Sequence, residues 1–258
     1  MQGEALGPQP ARTTKAMIAV CRILNTVTAR TRPMLPPPVA ALIDTIVQQH
    51  AGQSVVFDAD GTLWRGDAGE DFLRYAIHRG LFDASYDRYE KLLSESHARA
   101  YAYCVEVMRD LPEAELEQAC STFFTERIAG RIFPFVRPLI ASLKKAGCPV
   151  WICSASPRWV VVPGAIALGI PVNQVIGVTC TLRDGKLTGD VELPVPVGPG
   201  KVTWLERAKL KPAIGVGNGD FDVDMLAFSK HALVISPRDS RNQLVLDGLS
   251  RGWPILTA

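Results

Sequence analysis

This 258-residue sequence has no apolar run long enough to cross a bilayer. The strongest candidate near its start, AMIAVCRILNTVTA, is broken by Arg22 and Asn25, and a span needs about 20 apolar residues. The late start and weak cleavage region of that stretch also make it a poor signal peptide. No membrane partner is expected. Strong charge of either sign is missing too: the formal net charge is +2, which gives no argument for a nucleic acid or an anionic surface as partner. There is no CxxC pair. The six cysteines, Cys21, Cys104, Cys120, Cys148, Cys153 and Cys180, each sit in an apolar or helical stretch. They read as free, mostly buried thiols in a reducing cytoplasm. Internal repeats are absent as well. What remains is ordinary globular composition, 47% hydrophobic and 21% charged, sized for one large domain or a core domain carrying a smaller insertion.

Residues 1–35, rich in scattered Pro and basic side chains, read as a loosely ordered extension with one short helix from Lys15 to Thr28. Val39, Leu42, Ile43 and Ile46 then follow helical spacing. Short apolar runs predict buried strands at SVVF, PVWIC (149–153), NQVIGV (173–178), PAIGVG (212–217) and HALVI (231–235). Helical stretches separate most of them, one closed by Gly147. Strand alternating with helix implies an α/β fold, a Rossmann-like and mostly parallel sheet covered on both faces. Ligands bind beyond the carboxyl ends of such strands. The 91 residues between Thr62 and Ser154 exceed one crossover and read as helices: 68–80, one long helix over 85–110, and 112–130 with Pro112 in its first turn. The expected organisation is a core of 36–66 and 134–258 with an α-helical cap, 67–133, standing over the end of the first strand.

Four segments should converge at the strand ends. In the first, Asp58-Ala59-Asp60-Gly61-Thr62, a carboxylate can attack phosphorus to form an acyl-phosphate that water hydrolyses. Asp58 would be nucleophile and metal ligand, because two anions meet only with a divalent cation between them. Asp60 would protonate the leaving oxygen and then deprotonate water, with its carbonyl within reach of the metal. Gly61 permits a sharp turn, and Thr62 ties it. In the second, CSASP, the Ser154 hydroxyl and the Ala155 amide would bind phosphoryl oxygens, although a serine at a strand end is more often a turn or cap. The third is Lys201, at a helix start, whose ammonium would neutralise phosphoryl charge. The fourth is IGVGNGDFDVDML, an apolar strand entering an acidic loop that would complete a magnesium site of oxygen ligands.

In this order and spacing, FDADGT, SAS, Lys201 and GVGNGDFDVDML resemble the haloacid dehalogenase (HAD) superfamily, over roughly Ser54 to Pro237. The helical insertion and the hairpin RDGKLTGDVE (183–192) resemble its phosphoserine phosphatase-like group. The resemblance implies a phosphoric monoester hydrolase using Mg2+ and a phospho-aspartate. The family's fourth motif is usually Gly-Asp, three residues, then Asp. Two registers fit this chain. Anchoring on the strand and on Met225-Leu226 places Asn218 and Asp222 at the metal, with Asn218 lowering metal affinity because it brings no charge. Sliding by two gives Asp220 and Asp224. The first agrees with strand length.

The resemblance also bears on substrate. The group usually has an acid nine positions after the nucleophile, facing a substrate amine; here that is Asp67, with Glu70 nearby. Both equally suit an acid-rich helix N-terminus. The expected substrate is a small soluble phosphomonoester, phosphoserine or a similar amine-bearing phosphate. Phosphoserine would further need a cation for its carboxylate, from among Arg74, Arg88, Arg99 and Arg109. Trp64 and Trp159 beside the motifs raise phosphocholine or phosphoethanolamine as alternatives, unless they only pack. Phosphotransfer to an alcohol and a HAD-fold binding protein without turnover are the other readings. His78, His97 and His231 read as structural or surface groups, and His50 as a residue with no evident partner.

Overall fold

Five of the apolar runs become strands of one sheet, and a sixth joins them at the C-terminal end. In the computed structural model, which describes residues 37–236 and 243–258, these are β1 (Val55–Phe57), β2 (Val150–Pro157), β3 (Val175–Val178), β6 (Ile214–Gly217), β7 (His231–Ser236) and β8 (Ile255–Thr257). The extension over 1–35 and its expected helix lie outside the described residues. The sheet order is β3-β2-β1-β6-β7-β8, and every pairing is parallel. The chain leaves β1 toward β3 and then returns to place β6 on β1's other side. The crevice where strand order reverses therefore opens at the carboxyl ends of β1 and β6, the usual ligand position in such sheets.

Side chains alternate across the sheet, and both faces are covered. Val55 and Phe57 face α1 (Pro37–His50), α6 (Val136–Lys145) and α7 (Arg158–Ala167), among Val39, Ile43, Leu139 and Val161. Val56 faces α8 (Pro199–Arg207), α9 (Val223–Phe228) and α10 (Gln243–Arg251), among Leu205, Met225, Leu226 and Leu244. This is an α/β fold with a parallel core.

The insertion is helical: α2 (Ala68–Arg79), α3 (Tyr86–Glu95), α4 (His97–Glu106) and α5 (Glu113–Phe123), with a π-helical turn at Phe124–Ile128. Its own small core holds Leu73, Tyr89, Ala100, Tyr103 and Cys104. The two connections to the sheet run side by side, Arg65 N donating to Arg131 O at 3.1 Å and Phe133 N to Leu63 O at 3.1 Å. A hairpin, β4 (Cys180–Arg183) and β5 (Lys186–Val191), grips the cap from below. Its turn residues Asp184 and Gly185 both have positive φ, 52° and 75°, the geometry of a tight hairpin turn. Asp110 N donates to Leu187 O at 2.8 Å, and Arg109 pairs with Asp190 at 2.9 Å.

The expected long helix over 85–110 is two helices. Ser96, extended at φ −166°, ends α3 and caps α4 with its side chain, as serine readily does. Pro112 precedes α5 as its N-cap rather than entering the first turn. β2 runs four residues past the expected end, through a register irregularity against β3 between Cys153 and Pro157.

Candidate active site

The acidic turn after β1 closes on itself. Leu63 N donates to Ala59 O at 2.7 Å and Gly61 N to Trp64 O at 2.8 Å. Gly61 holds φ +74°, and a Cβ there would collide with the Asn218 amide. No other residue suits that position.

At the centre lies a buried ammonium. Lys201 Nζ donates to Asp58 Oδ1 at 2.7 Å and to Asp222 Oδ1 at 2.5 Å, with all three side chains buried. Burial disfavours the charged lysine, but the two carboxylates outweigh it and raise its pKa. For Asp58, burial and then the charge of Asp222 raise the pKa to about 6 against the pull of Lys201. The other oxygen of Asp58 accepts from the Thr62 hydroxyl at 3.2 Å.

Asp60 points away from Lys201, toward the root of the cap. Its Oδ1 accepts from Trp64 Nε1 and Ala68 N, both at 2.7 Å, and its Oδ2 from Ser156 Oγ at 2.6 Å. Burial, followed by the charges of Asp67 and Asp58, raises its pKa to about 8, beyond what the donors of Ser156 and Ala68 restore. A raised pKa favours the protonated form, the one that can give a proton. Ser154 is buried, and its hydroxyl accepts from Ser156 N at 3.1 Å, so the hydroxyl proton is left to donate elsewhere. Ala155 is half-buried beside it.

From the β6 loop, one end of the Asn218 amide meets Asp58 Oδ2 at 3.2 Å, Asp60 O at 2.8 Å and Thr62 Oγ1 at 2.9 Å when Nδ2 is there to donate. Asp222 Oδ2 accepts from Asn218 N and Gly219 N, each at 3.0 Å. Asp220 and Asp224 are exposed, and Asp220 instead caps α10 through Leu244 N at 2.9 Å. The structure thus brings Asn218 and Asp222 to Asp58 and leaves the other two outside.

A hard divalent cation fits the donors. A carboxylate oxygen of Asp58, the Asp60 carbonyl and the Asn218 amide gather in one place, and magnesium is commonly held by one or two carboxylates plus neutral oxygens. Among the described residues no three His, Cys, Asp or Glu side chains form a metal-holding group. Asp222, expected as a ligand, has one oxygen engaged by Lys201 and the other by two amides.

Two expected substrate contacts need correction. Trp64 is wholly buried, its indole edge-on to Phe124 and pressed against Gly164, and its N–H is spent on Asp60. It offers no face to a ligand. Trp159 is likewise buried and donates to Glu113 at 3.0 Å. Glu70 belongs to the cap, where Tyr86 OH and Arg74 donate to it at 2.5 and 2.9 Å. Burial tends to raise its pKa, but these two donors outweigh it and leave it lowered. Asp67 caps α2 by accepting from Glu70 N at 2.8 Å, yet it also reaches the site electrostatically. Burial raises its own pKa, and its charge bears on both Asp60 and Tyr101.

Sequence reasoning missed Ser156, Tyr101 and a contact across the entrance. Ser156 was visible as the second serine of SAS, but the irregularity in β2 that turns it toward Asp60 was not. The His97 ring of the cap lies 4.6 Å from the Phe221 ring of the β6 loop, with Tyr101 6.1 Å from His97.

Comparison with known proteins agrees with this geometry. The family described as haloacid dehalogenase-like hydrolase matches residues 55–227. A histidinol-phosphatase of Neisseria meningitidis serogroup C (strain 8013) is 26% identical over 220 residues, spanning 78% of this chain and 96% of that protein. A Bordetella pertussis Tohama I protein of unknown function aligns with TM-score 0.67 at 19% identity, over 79% of this chain and 97% of that one. A phosphoserine phosphatase solved as a phospho-aspartyl intermediate analogue aligns with TM-score 0.51 at 20% identity, over 80% and 92%. The two structural likenesses speak for the fold.

Proposed function

We propose that this chain, which belongs to the haloacid dehalogenase-like hydrolase family, is a magnesium-dependent phosphatase of small soluble phosphomonoesters whose alcohol carries an amine. The observation that supports it most is the division of labour between two carboxylates. Asp58 is held by Lys201, and Asp60 is turned away toward three donors.

An oxygen of Asp58 attacks phosphorus while the bond from phosphorus to the ester oxygen breaks. Asp60 gives its proton to that departing oxygen. Asp60, now a carboxylate, takes a proton from water; the water oxygen attacks phosphorus, the bond to Asp58 breaks, and phosphate leaves. Lys201 keeps Asp58 oriented and offsets phosphoryl charge, while Asp222 holds Lys201 in place. Ser154 and the Ala155 amide receive phosphoryl oxygens. Magnesium, held by Asp58, the Asp60 carbonyl and Asn218, would neutralise the encounter of two anions.

The cap's charges support the amine. Asp67 is the acid whose charge bears most strongly on Asp60. The four arginines from which the single cation for a phosphoserine carboxylate was expected each have another contact: Arg74 with Glu70, Arg99 with Glu95, Arg109 with Asp190, and Arg88 over the Tyr103 ring. An acid with no ion-paired cation among the described residues favours an amino-alcohol phosphate over an amino-acid phosphate. Histidinol phosphate, the substrate class in the name of the Neisseria relative, is of that kind. Buried, unpaired thiols at Cys104, Cys120, Cys148, Cys153 and Cys180 suit work in a reducing cytoplasm. Among the described residues no helix is long and apolar enough to cross a membrane.

The test is a substrate panel with purified protein and magnesium: histidinol phosphate, phosphoethanolamine, phosphocholine, phosphoserine and sugar phosphates. Amino-alcohol phosphates should show the highest kcat/KM. A preference for sugar phosphates removes the amine, and no hydrolysis of any of them removes the phosphatase.

A further inference from the structure

Two tyrosine hydroxyls of the cap have partners: Tyr86 OH donates to Glu70 at 2.5 Å, and Tyr103 OH accepts from Ser85 N at 2.9 Å. Tyr89 on α3 and Tyr101 on α4 differ, because neither hydroxyl makes a hydrogen bond among the described residues. Yet Tyr89 is only 1% exposed, and Tyr101 is half-buried against the main core. A tyrosine this deep ordinarily finds a partner for its O–H. Among the described residues, His50 Nδ1 is the one fully enclosed side-chain polar atom without a hydrogen-bond partner. The two phenol oxygens are therefore not sealed in, and each borders open space.

That space adjoins Asp67. The helices that carry the three residues, α2, α3 and α4, pack on one another, and α4 also leans on β2. Burial raises the pKa of both phenols; for Tyr89 the Cys104 thiol, Asp67 and Tyr101 follow in that order. For Tyr101 they are Asp67, Asp58 and Asp60, opposed by Lys201. Tyr101 thus lies within electrostatic reach of Asp67 on one hand and of the reacting carboxylates on the other. Asp67 accepts from Glu70 N through Oδ1 and has no ion-paired cation among the described residues.

We propose that Tyr89, Tyr101 and Asp67 form a leaving-group subsite that selects a primary ammonium against a quaternary one. This deepens the amine-bearing phosphomonoester reading above and rests on it. A primary ammonium has three N–H donors, and the subsite offers it three acceptors, one carboxylate and two phenol oxygens. A trimethylated ammonium keeps the charge but has no donor, so both phenols stay unpaired against methyl groups. Sites built to hydrogen-bond a substrate N–H reject the analogue that lacks it. An uncharged alkyl chain leaves Asp67 unmatched as well. Tyr89 and Tyr101 are therefore specificity-determining residues, acting on the leaving alcohol rather than on phosphorus.

The experiment uses the full chain with magnesium and measures kcat/KM on two matched pairs, phosphoethanolamine against propyl phosphate and histidinol phosphate against its deaminated analogue. Phosphocholine is added as the quaternary ester. Wild type should prefer the amine in whichever pair it turns over and should hydrolyse phosphocholine poorly. Tyr89→Phe and Tyr101→Phe each remove one acceptor and keep the ring. Each should shrink the preference for the amine roughly tenfold or more, as loss of one hydrogen bond to a charged group does. Thermal melts establish that the variants fold, and if one does not, the other decides alone. A preference unchanged in either folded variant overturns the inference, as does a wild type that turns over phosphocholine as well as the primary amines. Both outcomes leave the phosphatase reading standing. Hydrolysis of none of these esters and of no sugar phosphate removes that reading, and the subsite with it.

Discussion

Ser156 Oγ donates to Asp60 Oδ2 across 2.6 Å, joining the far end of β2 to the turn after β1. Ser156 is buried, and the close approach of Gly69, whose Cβ would meet the serine oxygen at 2.5 Å, leaves no slack around it. If this bond aims the proton of Asp60, its loss should depend on how much the leaving group needs a proton. Ser156→Ala should lower kcat on an alkyl phosphate by roughly two- to tenfold, the rate equivalent of one ordinary hydrogen bond. On p-nitrophenyl phosphate, whose leaving group departs unprotonated, the loss should be far smaller. Equal losses on both substrates would reduce Ser156 to a packing residue.

The buried ammonium separates the two readings of the acidic loop. Removing the sole partner of a buried ion is strongly destabilising, about 3–5 kcal/mol; Lys201 would keep Asp58, so the loss here should be a fraction of that. Asp222→Asn takes a charge from Lys201 where both side chains are almost wholly enclosed. It should abolish turnover and lower Tm by several degrees. Asp224→Asn, on the exposed side of α9, should be tolerated in both respects. Steady-state kinetics and thermal melts of the two variants suffice, and the reverse pattern would restore the shifted register.

How far the sequence reached is visible in these same residues. Asp58, Asp60 and Asn218 were legible because chemistry ties each to a strand end, and strand ends follow from apolar runs bounded by turn formers, whereas Lys201, at a helix start, was legible only through the order of the family's motifs. The parallel order of the sheet was legible for the same reason. Trp64 was not: an indole beside an active-site motif looks the same on paper whether it faces a ligand or donates to Asp60 from the core. Ser96 splitting a helix, and β8 adding a strand from the short run ILT, depend on local capping and on an open sheet edge. Neither is set by periodicity. The pairing of His97 with Phe221 joins residues 124 positions apart, a tertiary fact with no local trace.

That pairing leads to a prediction about access. His97 is on the cap and Phe221 on the core, so the ring contact is broken whenever the cap lifts. A tilted aromatic pair contributes about 0.5–1.5 kcal/mol, which converts to roughly a two- to tenfold change in an equilibrium constant. Phe221→Ala and His97→Ala should each raise KM by that factor for an amino-alcohol phosphate and leave kcat close to wild type. Because both remove the same contact, the double variant should be no worse than either single one. Additive losses in the double-mutant cycle would mean the two rings act on substrate separately.

At the opposite end of the sheet, His50 Nε2 and His231 Nε2 are 3.0 Å apart, close enough for one shared proton and no more. His50 ends α1 and His231 opens β7, so the bond fastens the first described helix to the sheet. The other nitrogen of His50, Nδ1, is buried with no hydrogen-bond partner among the described residues. Burial, then the charge of Lys230 and the neighbouring His231, lower the His50 pKa below its ordinary value. The sign follows. Above the unfolded value of about 6.5 the ring is neutral in both states and contributes nothing to pH dependence. As pH falls through that value the unfolded chain takes up the proton first, so folding stability declines. His50→Gln can still donate to His231 but cannot titrate. The Tm of wild type minus that of His50→Gln should therefore fall between pH 8 and pH 5.5. Titrating groups that His50 does not touch are common to both proteins and cancel, so the difference reports the His50–His231 pair. A difference that stays flat or rises toward acid pH would show that this histidine pair does not couple the fold to protons.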